Sequence, residues 1–383
     1  MASLRVVGVT RKRANTLTRK HIPLSAKEAG AATALSRLHF LGPARLRRLY
    51  RFFGSFTAAW SATEKSLRES GLNDGEAALL YQKSQPEQAV KDAAWLQREG
   101  IRTIVPEDEE FPRLLLEIPD PPAFLHVRGA LTSDAAAVAV VGTRRASGYG
   151  LEMAREIAAG LSRAGVVVVS GLALGIDAAA HEAAVGSGGA TWAFLGSGLN
   201  NASIYPPSNR GLAAKILEGG GALLSETPPG VAGFKHIFPI RNRLIAGVSL
   251  AVVVVEAAVR SGSLTTAAAA LEYNREVFAV PGDARREVSA GCHELIRRGA
   301  GLVASADDVL AALGLLKKRA AVKTPELPAD QAKMLALLTR EGAEIDELAR
   351  ALRLSPAEAS RILSFLELGG WAKNSGGRWV RTC

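Results

Sequence analysis

Between about residues 101 and 312 the apolar residues come in short unbroken runs rather than in alternation. The runs are "VAVVG" (138–142), "VVVVSG" (166–171), "TWAFLG" (191–196), "ALLSE" (222–226), "LAVVVVE" (250–256) and "VFAVPG" (277–282). A strand with one face in water alternates polar and apolar, whereas a strand covered on both faces does not. Segments of helical length separate the runs. Strand and helix alternating in this way predict an α/β fold, a doubly wound Rossmann-like parallel sheet.

The flanking zones have other patterns. From 29 to 100 Leu, Ala and Arg dominate and β-branched runs are missing. There "LHFLGPARLRRLYRFFGSF" sets a Gly-Pro turn between two apolar helical patterns, which predicts a small helical domain. A helix-hairpin-helix (or SAM-like) unit and a plain helical bundle both fit that pattern. Residues 313–328, with "KKRAAVKTPELPAD", are charged, hold two prolines and fit a linker. From 329 to 383 "EIDELARALRL", "SPAEASRILSFLELGG" and "WAKNSGGRWVR" give helix, turn, helix and a hairpin with Gly-Gly at its tip, the order of a winged helix. Residues 1–28 carry seven Lys/Arg and one acid, Glu28, and predict a disordered basic tail. By composition the same stretch fits a transit peptide or an upstream extension of the reading frame. No apolar core of a secretory signal follows its basic residues.

Charge and cysteine content change the picture modestly. The chain of 383 residues carries a formal net charge of +10, which favours a polyanionic partner. No apolar run reaches the roughly 18 to 20 residues of a membrane span, so no membrane insertion is expected. Two cysteines, no CxxC and six scattered histidines give neither a disulfide framework nor a metal spacing. A cytoplasmic protein without metal or cofactor is expected.

The candidate chemistry sits where the predicted strands end. In an open α/β sheet, ligands gather outside the carboxyl ends of the strands. Those ends read Gly142-Thr143-Arg144-Arg145, Ser170-Gly171, Gly196-Ser197-Gly198, Ser225-Glu226 and Glu256 followed by "RSGSLTTA". Glycines admit a ligand to the backbone, and helix N-termini offer N–H groups to an anion. The edge as a whole predicts a phosphate site. A dinucleotide fits it poorly, because "GTRRASGYG" is not GxGxxG and the second strand ends without an acid for the ribose. A nucleoside-monophosphate hydrolase of the lysine-decarboxylase-like group is the rival reading, with Gly, two Thr and Glu272 in "SGSLTTAAAALE"; Glu272 also fits a solvated helix residue. Asp177 and His181, one turn apart, fit either an acid/base pair or a capping acid beside a structural histidine. The last feature is "FPIRNRLIAG". From residue 228 to 254 there is no Asp or Glu, yet Lys235, His236, Arg241 and Arg243 occur. Cations without a local carboxylate point to an external anion, or to pairing with Glu226 or Glu256 across the sheet edge.

Seven stretches in order, "VAVVGTRRASGYG", "SGLALGIDAAAH", "GLNNASIYPPSN", "LLSETPPG", "FPIRNRLIAG", "VVVEAAVRSGSLTTAAAALEYNREVFAVPG" and "LIRRGA", resemble the DNA-processing protein A family (DprA, also called Smf). The resemblance is dense over about residues 105 to 312. It implies a non-enzymatic protein that binds single-stranded DNA and loads the RecA recombinase during natural transformation, as a homodimer. It places the DNA site on Gly142, Thr143, Arg144, Arg145, Ser170, Gly171, Lys235, Phe238, Pro239, Arg241, Asn242 and Arg243. Thr143 stands where the family usually has Ser, and His293 where it usually has Asn. Contacts to phosphates would make binding largely independent of sequence. Phe238 would stack on a base or pack in the core. The last zone, with eight Lys/Arg and seven Asp/Glu from residue 329 on, is too nearly neutral for a duplex reader and fits a protein-contact or weak accessory module.

Overall fold

The computed structural model describes residues 24–233, 237–316, 327–339 and 342–381. The predicted basic tail falls mostly, and the linker largely, outside them. The chain divides into two units, 1–316 and 317–383.

Six helices open the first unit: α1 (Ala26–Ser36), α2 (Pro43–Phe53), α3 (Phe56–Trp60), α4 (Glu64–Glu69), α5 (Asp74–Lys83) and α6 (Pro86–Arg98). Local residues set where they start and stop. The Ser25 hydroxyl accepts the Glu28 N–H at α1, and Asn73 and Glu76 form a reciprocal capping box at α5. Pro43 opens α2 where its missing N–H costs nothing, and Gly54, at φ 71°, closes it in the left-handed conformation. Leu35, Leu49, Phe56, Leu67 and Leu80 fill the core of this bundle. The Glu28 carboxylate accepts from Ser55 Oγ, Phe56 N and Thr57 N, and so caps α3 from another helix.

The sheet follows. Its elements in chain order are β1 (Arg102–Ile104), β2 (Leu125–Gly129), β3 (Ala137–Val141), α7 (Gly148–Arg163), β4 (Val167–Ser170), α8 (Ile176–Gly186), β5 (Thr191–Phe194), α9 (Arg210–Glu218), β6 (Ala222–Ser225), α10 (Ile237–Val248), β7 (Ala251–Val254), α11 (Ser263–Glu272), β8 (Glu276–Ala279), α12 (Glu287–Arg297), β9 (Gly301–Leu302) and α13 (Ala306–Ala312). The strand order is β1-β2-β6-β5-β4-β3-β7-β8-β9. All neighbours from β6 to β9 are parallel, while β1 and β2 add an antiparallel edge. The six predicted runs are β3 to β8. Their unbroken apolarity has the expected cause, since both faces are covered. Val138 and Val140 face α7, α8 and α13, whereas Ala139 and Val141 face α10, α11 and α12. On the second face Cys292 of α12 is fully buried, its Sγ 3.5 Å from Val254 O and 3.6 Å from Val255 O.

β3 lies between β4 and β7. The chain builds outward from β3 in one direction, then returns to its other side with β7. The carboxyl ends of β3 and β7 therefore flank the point where the strand order reverses, the crevice such sheets use for ligands.

The second unit holds α14 (Ala329–Leu337), α15 (Ile345–Leu352), α16 (Pro356–Leu368) and the hairpin β10 (Ala372–Ser375) with β11 (Arg378–Arg381), the winged-helix order. Ser355 and Glu358 box the start of α16. Leu348, Leu363, Leu366 and Trp379 make its core. Among the described residues no helix is long and apolar enough to cross a membrane, and no group of His, Cys, Asp or Glu could hold a metal ion.

Candidate nucleic-acid interface

A cleft of about 500 Å³ opens at the reversal point. Its first wall is the loop from β3 to α7. Thr143 N donates to Glu256 O at 2.7 Å, tying this loop to the end of β7. The Glu256 carboxylate, only 2 % exposed, accepts from Ser147 N at 2.9 Å and Ser147 Oγ at 2.5 Å. Held from beneath in this way, the loop leaves Arg144 and Arg145 exposed at the cleft. Neither has a carboxylate partner among the described residues.

Glu256 also alters an expectation. The sequence predicts a strand edge that offers free N–H groups to phosphate, but this carboxylate already occupies the start of α7. At the β4 end Asp177 does the same, its Oδ2 accepting from Gly171 N at 3.1 Å and Ala173 N at 3.3 Å. The positive potential of the cleft comes from guanidinium groups instead.

The second wall is α10. The described part of the helix, from Ile237, carries the whole motif. Pro239 is exposed on the rim of the cleft. Arg241 reaches under the cleft, where Nη1 donates to Gly171 O at 2.8 Å and to Phe194 O. A Cβ on Gly171 would stand 2.5 Å from Arg241 Nη2, so only glycine leaves room for this guanidinium. Burial lowers the Arg241 pKa to about 10, against the opposing pull of Asp177, and Arg144 lowers it further. Burial likewise pushes the Asp177 carboxyl up, against Arg241. Phe238, one turn before Arg241, is half-buried. Its ring centroid lies 5.1 Å from the Arg144 guanidinium carbon, 5.9 Å from that of Arg241 and 5.9 Å from the Tyr205 ring.

Arg243 points elsewhere. Its Nη2 donates to both Glu226 oxygens at 2.7 and 2.6 Å, and its Nη1 to Asp120 O at 2.6 Å. It does not line the cleft, and its pairing is the one weighed from the sequence. The premise that the cations of this segment lack carboxylates fails for Arg243, whose partner sits just outside the acid-free window. Asn242 binds Gly262 O at 3.2 Å and Thr265 Oγ1 at 2.9 Å, docking α10 on the start of α11. Ser170 is buried, its hydroxyl donating to Val140 O at 2.7 Å. Lys235 lies outside the described residues.

Of the residues named from the sequence, the cleft therefore gathers Gly142, Thr143, Arg144, Arg145, Phe238, Pro239, Arg241 and Asn242. Gly171 borders a small adjoining pocket with Leu174 and Tyr205. Ser261, Ser263 and Thr265 complete the lining. Their signal was present in "SGSLTT", a polar cluster after an apolar strand. Glu272, on which the hydrolase reading rested, is exposed at the far end of α11, roughly 13 Å along the axis from Ser263. His181 is not paired with Asp177. Its Nδ1 lies 2.7 Å from Thr191 Oγ1, away from the cleft. His293 Nε2 lies 3.1 Å from Gly282 O and steadies the loop after β8.

Known proteins agree with this architecture. Residues 102–314 match the family model of DNA recombination-mediator protein A, and residues 318–378 match that of the DprA winged helix domain. Protein Smf of Escherichia coli K12 is 39% identical over 327 residues, 82% of this chain and 86% of that protein. The X-ray structure of DNA processing protein A from Streptococcus pneumoniae is similar with a TM-score of 0.62 at 34% identity, covering 76% of this chain and 98% of that one. A structure describing the single-stranded DNA binding mode of DNA processing protein A from Helicobacter pylori is similar with a TM-score of 0.50 at 30% identity, covering 56% of this chain and 95% of that one. With residues 102–314 and 318–378 matched by these family models and with relatives of this identity over most of its length, the chain belongs to the DNA recombination-mediator protein A family.

Proposed function

We propose that this protein binds single-stranded DNA in the cleft between α10 and the loop from β3 to α7, and that it does so without turning it over. The observation that carries the reading is the pair Arg144 and Arg145, exposed, without carboxylate partners among the described residues, and fixed on a loop that Glu256 anchors. Backbone phosphates would supply the missing anions. Arg241 adds charge from behind, and Phe238 with Tyr205 offers aromatic surface to an unpaired base. Gly142, Thr143, Gly171, Pro239 and Asn242 shape the site. The unit ending at residue 316 is the DNA-binding part.

Non-enzymatic action is supported by how Asp177, the one carboxylate lining the cleft among the described residues, is used. Asp177 accepts two backbone N–H groups beside Arg241, and His181 is engaged by Thr191. Neither is placed to move a proton to a ligand. Family membership supports the rest of the reading: a homodimer in the cytoplasm that protects incoming DNA in transformation and delivers it to the RecA recombinase.

The test is a titration of labelled oligonucleotides at several salt concentrations, with hydrolysis of nucleoside monophosphates followed beside it. Single strands are expected to bind well above duplex with little sequence preference. Equal affinity for duplex, or hydrolysis that Glu272→Gln abolishes, overturns the reading.

A further inference from the structure

Between Glu28 and Glu64 the chain has no acidic residue but five arginines: Arg37, Arg45, Arg47, Arg48 and Arg51. The fold supplies carboxylates from elsewhere to three of them. Arg37 pairs with Asp92 at 2.5 Å, Arg45 with Glu76 at 2.7 Å and Arg47 with Asp120 at 3.1 Å. Two remain. Arg48 donates only to Gly71 O, at 3.0 Å, and Arg51 has no hydrogen-bond or ion-pair partner among the described residues. Both are exposed on α2 beside Phe52, a large aromatic side chain left 50% exposed. With Arg47 they border a depression of about 420 Å³. Arg48 and Phe52 stand four residues apart, so the cation and the ring share one helix face.

This face connects with the cleft. The adjoining side of α2, through Pro43 and Leu46, lines an apolar groove of about 470 Å³ whose opposite wall is α10, with Ile240 and Arg241. Arg241 thus borders both groove and cleft. Ile240 is 50% exposed in that wall. The two helices are pinned together, because Asp120 meets Arg47 of α2 and also accepts, through its backbone carbonyl, from Arg243 of α10 at 2.6 Å. Cleft and groove thus share Arg241, and α2 carries both the groove's Pro43 and Leu46 and the cationic face of Arg48 and Arg51.

We propose that a single strand of DNA held in the cleft continues across this groove onto α2, where Arg48 and Arg51 take phosphates and Phe52 takes a base. The inference rests on the function proposed above. Its chemistry is that of single-strand tracks in general, cations for the backbone alternating with apolar or aromatic surface for the bases. A duplex would leave Phe52 and the groove without unstacked bases to cover.

The test uses the full chain with two oligothymidines, one of about 6 nucleotides to fill the cleft and one of about 16 to reach α2, lengths within the usual range of single-strand site sizes. The intact protein should show the steeper salt dependence with the longer strand. R48A/R51A should make that slope shallower by about 1.4, two phosphates at about 0.7 each, and leave the shorter strand's binding unchanged. Phe52→Ala should weaken the longer strand by about fivefold or more, the effect of one lost stacking contact. R51A alone removes no hydrogen-bond or ion-pair partner among the described residues, so it keeps the question decidable if R48A lowers the melting temperature, and R51K should retain the slope. An unchanged slope for the longer strand in R51A overturns the proposal. So does a loss of duplex binding with single-strand binding intact, which would assign α2 to duplex. If the intact protein binds neither oligothymidine, the functional reading beneath it fails as well.

Discussion

Arg241 and Arg243 leave α10 roughly 200° apart, because each residue turns an α-helix by about 100°. One enters the cleft and the other meets Glu226. The acid-free window around "FPIRNR" is legible in the sequence, and it marks Arg241 and Arg243 alike. It gives no means of dividing the two arginines, because that depends on where the helix begins. With both on α10 their directions are opposed. The distinction yields a measurement. Arg144→Ala and Arg145→Ala should each make the salt slope of single-strand binding shallower by about 0.7 while the melting temperature holds. Arg243→Ala should leave the slope as it is and lower stability by about 3 kcal/mol, since it strands a largely buried carboxylate. Early melting of the Arg144 variant with a parental slope would reverse these assignments.

Among the elements, the strands covered on both faces are the legible ones, since continuous apolarity carries the signal and burial on both faces produces it. β1 and β2 escape a reading of the sequence. β1 has three residues, and β2 interrupts its run with His126, buried with its Nδ1 3.1 Å from Thr103 Oγ1 on the paired strand. Such compensation is a tertiary fact without a local signature. The same holds for the strand edge as an anion site. Glycines and helix starts are visible there, but that Glu256 and Asp177 consume the N–H groups follows from pairing between distant segments. Glu256 thus positions a cationic loop with a negative charge. Glu256→Gln should lower stability by about 1–2 kcal/mol through weakened hydrogen bonds to Ser147. It should also reduce single-strand affinity without changing the hydrolysis baseline. Thermal melts together with a binding titration check this, and undiminished affinity would detach the loop's position from its function.

For the molecule as a whole, the chain divides after residue 316, beside a charged, proline-containing stretch of sequence. A chain ending at Leu316 is expected to keep the parental affinity and salt slope for single strands; loss of most affinity from a folded truncation would move the site. Acid lability is a second global property. His126 and His181 are pushed down to about 3, by burial first and then by Arg37 and Arg241 respectively. An unfolded histidine titrates near 6.5. Below that pH the unfolded chain takes up protons that the folded chain refuses. The contribution is therefore complete above about 6.5 and is lost as pH falls toward 3, at up to about 1.4 kcal/mol per pH unit for each ring. Urea unfolding at pH 7.5, 6 and 5 should show this slope, and replacing both histidines by Gln should flatten it. Finally, the Cys292 thiol sits against the carbonyls of Val254 and Val255, directly before Glu256, and burial raises its pKa to about 12. In a Cys383→Ser background a disulfide reagent can reach it only when α12 lifts from β7. Its labelling rate would thus clock the local breathing of the sheet beneath the arginine loop, and saturating DNA should slow that clock if occupancy of the cleft holds the sheet's edge closed.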